Sequence, residues 1–226
     1  MMRLQSFHWQ AVLGVVLPLF LIFLAHEQGD IVLIINGWHH PVLDVFFTYF
    51  TRLGNGIIFL FFTLVLVAVK FRHAIITALV GGVHALFIGI TKNGLFPHQP
   101  RPKNFFDADI GLNFIQGVDV HGWMSFPSGH TASAFALALL ISLITKNRTV
   151  TAFFLVYALL VAFSRIYLLQ HFYKDVFSGA VIGLLSTFLV WKGLAYNVLP
   201  GWVDQKLVLK VSLQLQPGPK NLPRST

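Results

Sequence analysis

Phe126, Pro127, Ser128, Gly129 and His130 run in that order directly into an apolar segment. A serine at a helix start accepts a hydrogen bond from a free backbone N–H, and the bare N–H groups of a first turn attract an anion. A phosphate group suits such a place; the competing reading is a plain helix cap with an interfacial histidine beside it. Further on, Ser164 and Arg165 are followed after five residues by His171 and after three more by Asp175. Residues four apart share one face of a helix, so His171 and Asp175 can meet if a helix begins near them. A carboxylate hydrogen-bonded to an imidazole fixes its tautomer and makes the other nitrogen more basic, able to attack phosphorus. A surface ion pair at a helix start would account for those two residues but not for Arg165. An Arg within an apolar span is costly, about 2.5–3.5 kcal/mol at a helix centre on insertion scales and less toward its outer part, which makes it a functional candidate.

A third cluster lies upstream, at 92–102. Lys92 ends an apolar stretch and Arg101 stands in a segment stiffened by Pro97, Pro100 and Pro102, and each could contact phosphate oxygens. The three clusters together supply a nucleophile, its orienting group, a proton donor and cations to hold spreading negative charge, the set that phosphoryl transfer requires.

The elements that must position these residues belong to a membrane. Apolar residues make up 56% of the 226 positions and charged ones only 11%, against roughly 45–50% and about 25% in soluble domains. Apolar stretches recur at 7–25, 56–69, 74–90, 131–145, 150–169 and 176–191. A span needs roughly 20 residues, with about 17 at the lower end, so several of these must borrow polar or aromatic neighbours. The expectation is a six-transmembrane helical bundle, all-α, with the phosphatase chemistry on its extracytoplasmic side. Loop charges agree with that count, because Lys and Arg are retained on the cytoplasmic side of short loops. With both termini inside, Arg3, Lys70, Arg72, Lys146, Arg148, Lys192, Lys206, Lys210, Lys220 and Arg224 are cytoplasmic, ten of the sixteen basic residues, and every acid but Asp204 lies outside.

The net charge of +8 is spread along the chain rather than gathered into one patch, which argues against a nucleic-acid partner. Cysteine is absent, so neither disulfides nor a thiolate metal site can form. The first apolar stretch is read as an uncleaved anchor, since no small-residue cleavage site follows it cleanly. Residues 41–56 mix aromatics with isolated charges and suit a helix lying in the outer interface. At 206–215 the pattern alternates strictly, a strand period. The chain thus divides into a membrane domain at 1–200 and a cytoplasmic tail at 201–226.

On its three motifs and six-span layout the sequence resembles the type 2 phosphatidic acid phosphatases, which share a phosphate or vanadate site with the vanadium haloperoxidases. The likeness is strong over 92–175 and looser in the flanking helices. The resemblance implies that His171 is the nucleophile forming a phosphohistidine, that Asp175 orients it and that His130 protonates the leaving oxygen. It implies that Lys92, Arg101, Arg165, Ser128 and the amide of Gly129 bind the phosphoryl oxygens, with no cofactor and no metal. The remaining histidines show no metal-ligand spacing and read as interfacial or structural, His84 alone being held open. One departure concerns Lys92, which stands nine positions before Arg101 where the family has seven, a place filled here by Gly94. Either two extra residues at 95–100 leave Lys92 in place, or its role has lapsed.

The expected function is hydrolysis of a lipid phosphate at a bacterial inner membrane, with undecaprenyl diphosphate first and phosphatidylglycerophosphate, phosphatidic acid or lipid A phosphate behind it. The rivals are a lipid phosphotransferase built on the same site and a transporter whose polar groups line a path. A soluble haloperoxidase is at odds with six apolar spans.

Overall fold

The computed structural model describes residues 2–193, together with Pro200 and Val203. The alternating segment at 206–215 and the tail to which it belongs lie outside the described residues. Those described form helices, turns and irregular loops, with no strand among them. In chain order the helices are α1 (Met2–Ala25), α2 (Asp30–Asn36), α3 (Pro41–Phe50), α4 (Ile58–Val69), α5 (Phe71–Gly89), α6 (Pro102–Phe105), α7 (Gly129–Thr145), α8 (Arg148–Tyr167) and α9 (Tyr173–Gly193).

Among the described residues, three helices are long and apolar enough to cross a membrane alone: α5 with its extension, over Phe71–Leu95, α8 and α9. Two more candidates are bent pairs, Gln10–Ala25 with α2 at 105° and Pro41–Gly54 with α4 at 60°. At 17 residues α7 is shorter, yet it sits at the centre. Every residue from Thr131 to Leu143 is buried. Its Ala134, Phe135 and Ala138 face a cluster built with α8 and α9, while Ala136, Leu137, Leu139 and Leu140 face one built with α4 and α5. Around it the outer helices expose Leu13, Leu17, Leu60, Phe61, Leu64, Leu86, Leu185 and Leu189, an apolar belt suited to a lipid solvent.

Close approach of α7 and α9 depends on two glycines. A Cβ built on Gly179 would fall 2.4 Å from the Ser128 carbonyl oxygen, and one on Gly183 would fall 2.2 Å from that of Ala132. Gly-x-x-x-Gly spacing puts both on one helical face and lets two backbones meet without side chains between them. One turn further on, the Thr187 hydroxyl donates to the Ala136 carbonyl at 2.9 Å. One turn back, the Ser128 N–H donates to the Asp175 carbonyl at 2.9 Å.

Antiparallel connections gather the polar segments at one end. Lys146, in the left-handed conformation, ends α7, and the Asn147 side chain accepts from the N–H groups of Thr149 and Val150 to start α8. Two residues thus reverse the chain, and the start of α7, the end of α8 and the start of α9 meet at the other end with the end of α5. The long connection before α7 is tied down there by a reciprocal pair: the Asn36 side chain donates to the Asn113 carbonyl at 3.0 Å and accepts from its N–H at 2.9 Å.

Candidate active site

Each cluster singled out from the sequence reaches this end, and a cavity of about 560 Å³ lies between them. Lys92, Arg101, Gly129, His130, Arg165 and His171 all line it. Asp175 stands behind His171 and is fully buried. Ser128 is likewise buried, its Oγ accepting from the Thr131 hydroxyl at 2.9 Å, so its side chain sits beneath Gly129 rather than among the lining residues.

His171 and Asp175 do come together, though not as residues four apart on one helix. His171 lies in the turn between α8 and α9, held by its N–H on the Arg165 carbonyl at 3.1 Å, and Asp175 lies in the first turn of α9. Nδ1 of His171 is 3.6 Å from Oδ2 of Asp175, beyond a normal hydrogen bond. That oxygen already accepts from the Ser125 hydroxyl and from the N–H of Phe172, at 2.5 and 2.9 Å. His171 Nδ1 and Asp175 Oδ1 have no hydrogen-bond partner among the described residues. The carboxylate oxygen 3.6 Å from the ring is thus satisfied by other donors, and the second oxygen is open.

Only 2% of the His171 side chain is exposed. Burial, followed by the nearby charges of Arg101, Arg165, Lys92 and His130, holds its imidazole well below the ordinary range. Both causes disfavour the cationic ring, so the neutral form with a free lone pair dominates. Burial lowers Arg101 as well, offset by the Asp175 carboxylate.

The cations differ in how firmly they are held. Arg101 donates through Nη1 to the Gln170 carbonyl and side-chain oxygen, both at 3.0 Å, and through Nε to the Trp123 carbonyl at 2.9 Å. Arg165 donates through Nη1 to the Thr51 hydroxyl at 2.7 Å, while its buried Nε has no partner among the described residues. An unpaired buried guanidinium N–H is costly, and a phosphoryl oxygen in the cavity would satisfy it.

Lys92 lines the cavity together with Arg101 despite the longer spacing between them. The helix does not stop at residue 90; it widens into a π-helical stretch over Ile90–Leu95 that contains Lys92 and Gly94. Such wide turns often occur at functional sites. The ammonium donates to the Met124 carbonyl at 2.8 Å, the same oxygen that Arg101 Nη2 approaches at 3.4 Å. Met124 adopts a left-handed backbone, with φ of 56°. Lys103 points elsewhere, toward the Val120 carbonyl at 3.4 Å.

Sequence reasoning missed the groups that hold these side chains. Ser125, Gln170, Thr51 and the Met124 carbonyl carried no signal, because each is one polar group in an irregular segment or helix end. Tyr167 belongs with them: its hydroxyl donates to Asp44 and accepts from the His40 N–H, tying the end of α8 to α3. His121, grouped with the interfacial or structural histidines, lines the cavity. His84 is buried in α5, its Nε2 3.2 Å from the Ser133 hydroxyl.

An all-helical bundle with apolar outer faces and a cation-lined cavity holding three imidazoles, those of His121, His130 and His171, defines a membrane protein built to handle an anionic group. The family model of the PAP2 superfamily matches residues 72–199, and the chain belongs to that family of phosphatases. It is 29% identical over 181 residues to a lipid A 4'-phosphatase of Porphyromonas gingivalis, covering 77% of this chain and 75% of that protein. With the undecaprenyl-diphosphatase BcrC of Bacillus subtilis it shares 26% identity over 160 residues, 68% of this chain and 76% of the other. The crystal structure of Aquifex aeolicus LpxE superposes with a TM-score of 0.65 at 31% identity, covering 73% of this chain and 94% of that one.

Proposed function

We propose that this membrane protein is a lipid phosphatase working through a phosphohistidine on His171. The observation that carries the reading is the convergence of Lys92, Arg101, Arg165, His130 and His171 on one cavity. Nδ1 of His171 faces Asp175, which leaves Nε2 to attack phosphorus. As the N–P bond forms, the bond from phosphorus to the ester oxygen breaks, and His130 gives that oxygen its proton. Water then attacks the phosphohistidine, His130 takes a proton from it, and phosphate leaves with His171 restored. Lys92, Arg101, Arg165 and the Gly129 amide hold the three phosphoryl oxygens, preorganised donors aimed at charge that spreads in the transition state. Trapping of labelled phosphate on the protein in an acid-labile form, lost in His171→Ala, tests this. Turnover of His171→Ala near that of the parent protein would end it.

The substrate is a lipid phosphate, with lipid A phosphate and undecaprenyl diphosphate as the leading candidates. The relatives that act on each support the pair. α1, α4, α5, α7, α8 and α9 are the six spans of the proposed topology, with both termini cytoplasmic and the site extracytoplasmic at a bacterial inner membrane. Loop charges support that orientation. Cysteines at positions 104 and 147 of this cysteine-free chain should be labelled by an impermeant reagent from outside and inside respectively, and the opposite pattern would reverse it.

A further inference from the structure

A second cleft of about 320 Å³ opens from the catalytic cavity, and the two share Ile88, Lys92, Gly129 and His130. His171 lines only the first. In phosphoryl transfer the attacking and leaving atoms lie roughly in line, on opposite sides of phosphorus. His171 lines only the first cavity while the proton donor His130 lines both, so the second cleft lies on the His130 side of the site.

We propose that this cleft is the leaving-group subsite and that it takes a sugar. The inference rests on the lipid-phosphatase reading and narrows its substrate to a lipid whose phosphate esterifies a sugar hydroxyl. Beyond the shared residues, the cleft is lined by Asn55, Asn93, His84 and Ser133, at the start of α4, along α5 and on α7, with Asn55 Oδ1 accepting from the Ile57 N–H at 3.0 Å. These are neutral hydrogen-bonding groups. Carboxamides, an imidazole and a hydroxyl match the mixed donors and acceptors of a sugar ring. A departing second phosphate would instead need cations of its own. Lys92 is the one Lys or Arg lining the cleft among the described residues, and its ammonium is turned to the Met124 carbonyl beside Arg101.

Small residues keep the cleft open. Gly56, Ala85 and Gly89 line it, and a Cβ built on Gly89 meets nothing within 4 Å among the described residues. Gly89 is helical and ends α5, so a larger residue there fits the backbone and projects into open space. The His84 ring adds a fixed wall. Its Nε2 stands against Ser133, whose hydroxyl donates to the Gly129 carbonyl at 3.1 Å, at the start of the catalytic helix. The size suits one ring, being at the low end of the roughly 300–1,000 Å³ of small-molecule sites.

The test measures kcat/KM of the purified full-length protein on lipid A, phosphatidylglycerophosphate and undecaprenyl diphosphate, together with inhibition by inorganic phosphate. The parent protein should prefer lipid A. Gly89→Leu should lower kcat/KM for lipid A by at least about tenfold and for phosphatidylglycerophosphate by less than about threefold, a loss of fit confined to one leaving group. Its inhibition constant for inorganic phosphate should stay within about twofold, because the phosphate cavity is untouched. Asn93→Ala should cost lipid A about fivefold, the scale of one hydrogen bond. Equal losses on all three lipids in Gly89→Leu, or a loss largest on undecaprenyl diphosphate, would overturn the sugar subsite while leaving the phosphatase intact. Failure of the parent protein to release phosphate from any of them would overturn both readings.

Discussion

The backbone N–H of Ser128 donates to the carbonyl of Asp175 at 2.9 Å, so the residue that opens α7 is bonded to the residue that backs the His171 imidazole. Two motifs far apart in sequence are thereby locked at the level of the main chain. Side chains reinforce the lock, since Ser125 donates to the Asp175 carboxylate from the same irregular segment that ends in Ser128. Position of the proposed nucleophile and shape of the anion site are thus one structural variable.

Ser125→Ala tests that lock. Removing the hydroxyl leaves a fully buried carboxylate with one fewer donor, a loss of about 1–3 kcal/mol. The expected outcome is a drop in kcat of about tenfold or more with KM nearly constant, because the carboxylate would swing while the cations stay. Steady-state kinetics decide it, and an unchanged kcat would show that Phe172 N–H alone fixes Asp175.

Gly183→Val tests the crossing of α7 and α9. Its Cβ would lie 2.2 Å from a backbone oxygen, and backbone cannot step aside as a flexible side chain can. The helices must separate, so the variant should lose most of its folded yield or melt many degrees lower, at a cost of several kcal/mol comparable to severe overpacking. Size-exclusion profile and thermal unfolding in detergent are the readouts. Gly193→Val, where a Cβ meets nothing within 4 Å among the described residues, is the matched control and should behave like the parent.

Lys92 and Lys103 compete for one role on paper, and their positions rank them. Lys92 lines the cavity; Lys103 does not. Lys92→Ala should therefore lower turnover by at least about tenfold, or roughly 1.4 kcal/mol of transition-state stabilisation. Lys103→Ala should cost much less. The reverse order, on equally well-folded protein, would move the phosphate contact to Lys103.

The pH dependence of His171 follows from its surroundings. Its imidazole is pushed well below the usual value by burial and then by the surrounding cations, so the reactive neutral ring persists as pH falls through about 6.5, the unperturbed histidine value. Carbethoxylation of the His171 peptide, followed by mass spectrometry, should proceed at an undiminished rate across that range. A titration midpoint near 6.5 would contradict it. The linked stability term has a definite sign: the unfolded ring gains a proton near 6.5 while the folded one does not, so this residue costs stability as pH drops below that point.

The membrane class, the helical stretches that became α1, α4, α5, α7, α8 and α9, and the polar clusters around Lys92, His130 and His171 were legible in the sequence. They depend on residue type and on the helical period, which the chain carries locally. The close approach of α9 through Gly179 and Gly183 was not read from the sequence and came from the structure. What tertiary structure alone decided is register across elements: that Gly183 meets Ala132, that Asp175 bonds Ser125 and stops 3.6 Å short of the His171 ring, and that Gln170 and Thr51 hold the two arginines. It also decided the place of Lys92, whose ammonium meets Arg101 at the Met124 carbonyl, a contact that no count of positions can show. A period fixes which side chains share a face, but which faces meet, and at what height, is set by backbone contacts between distant segments, and no local spacing encodes those.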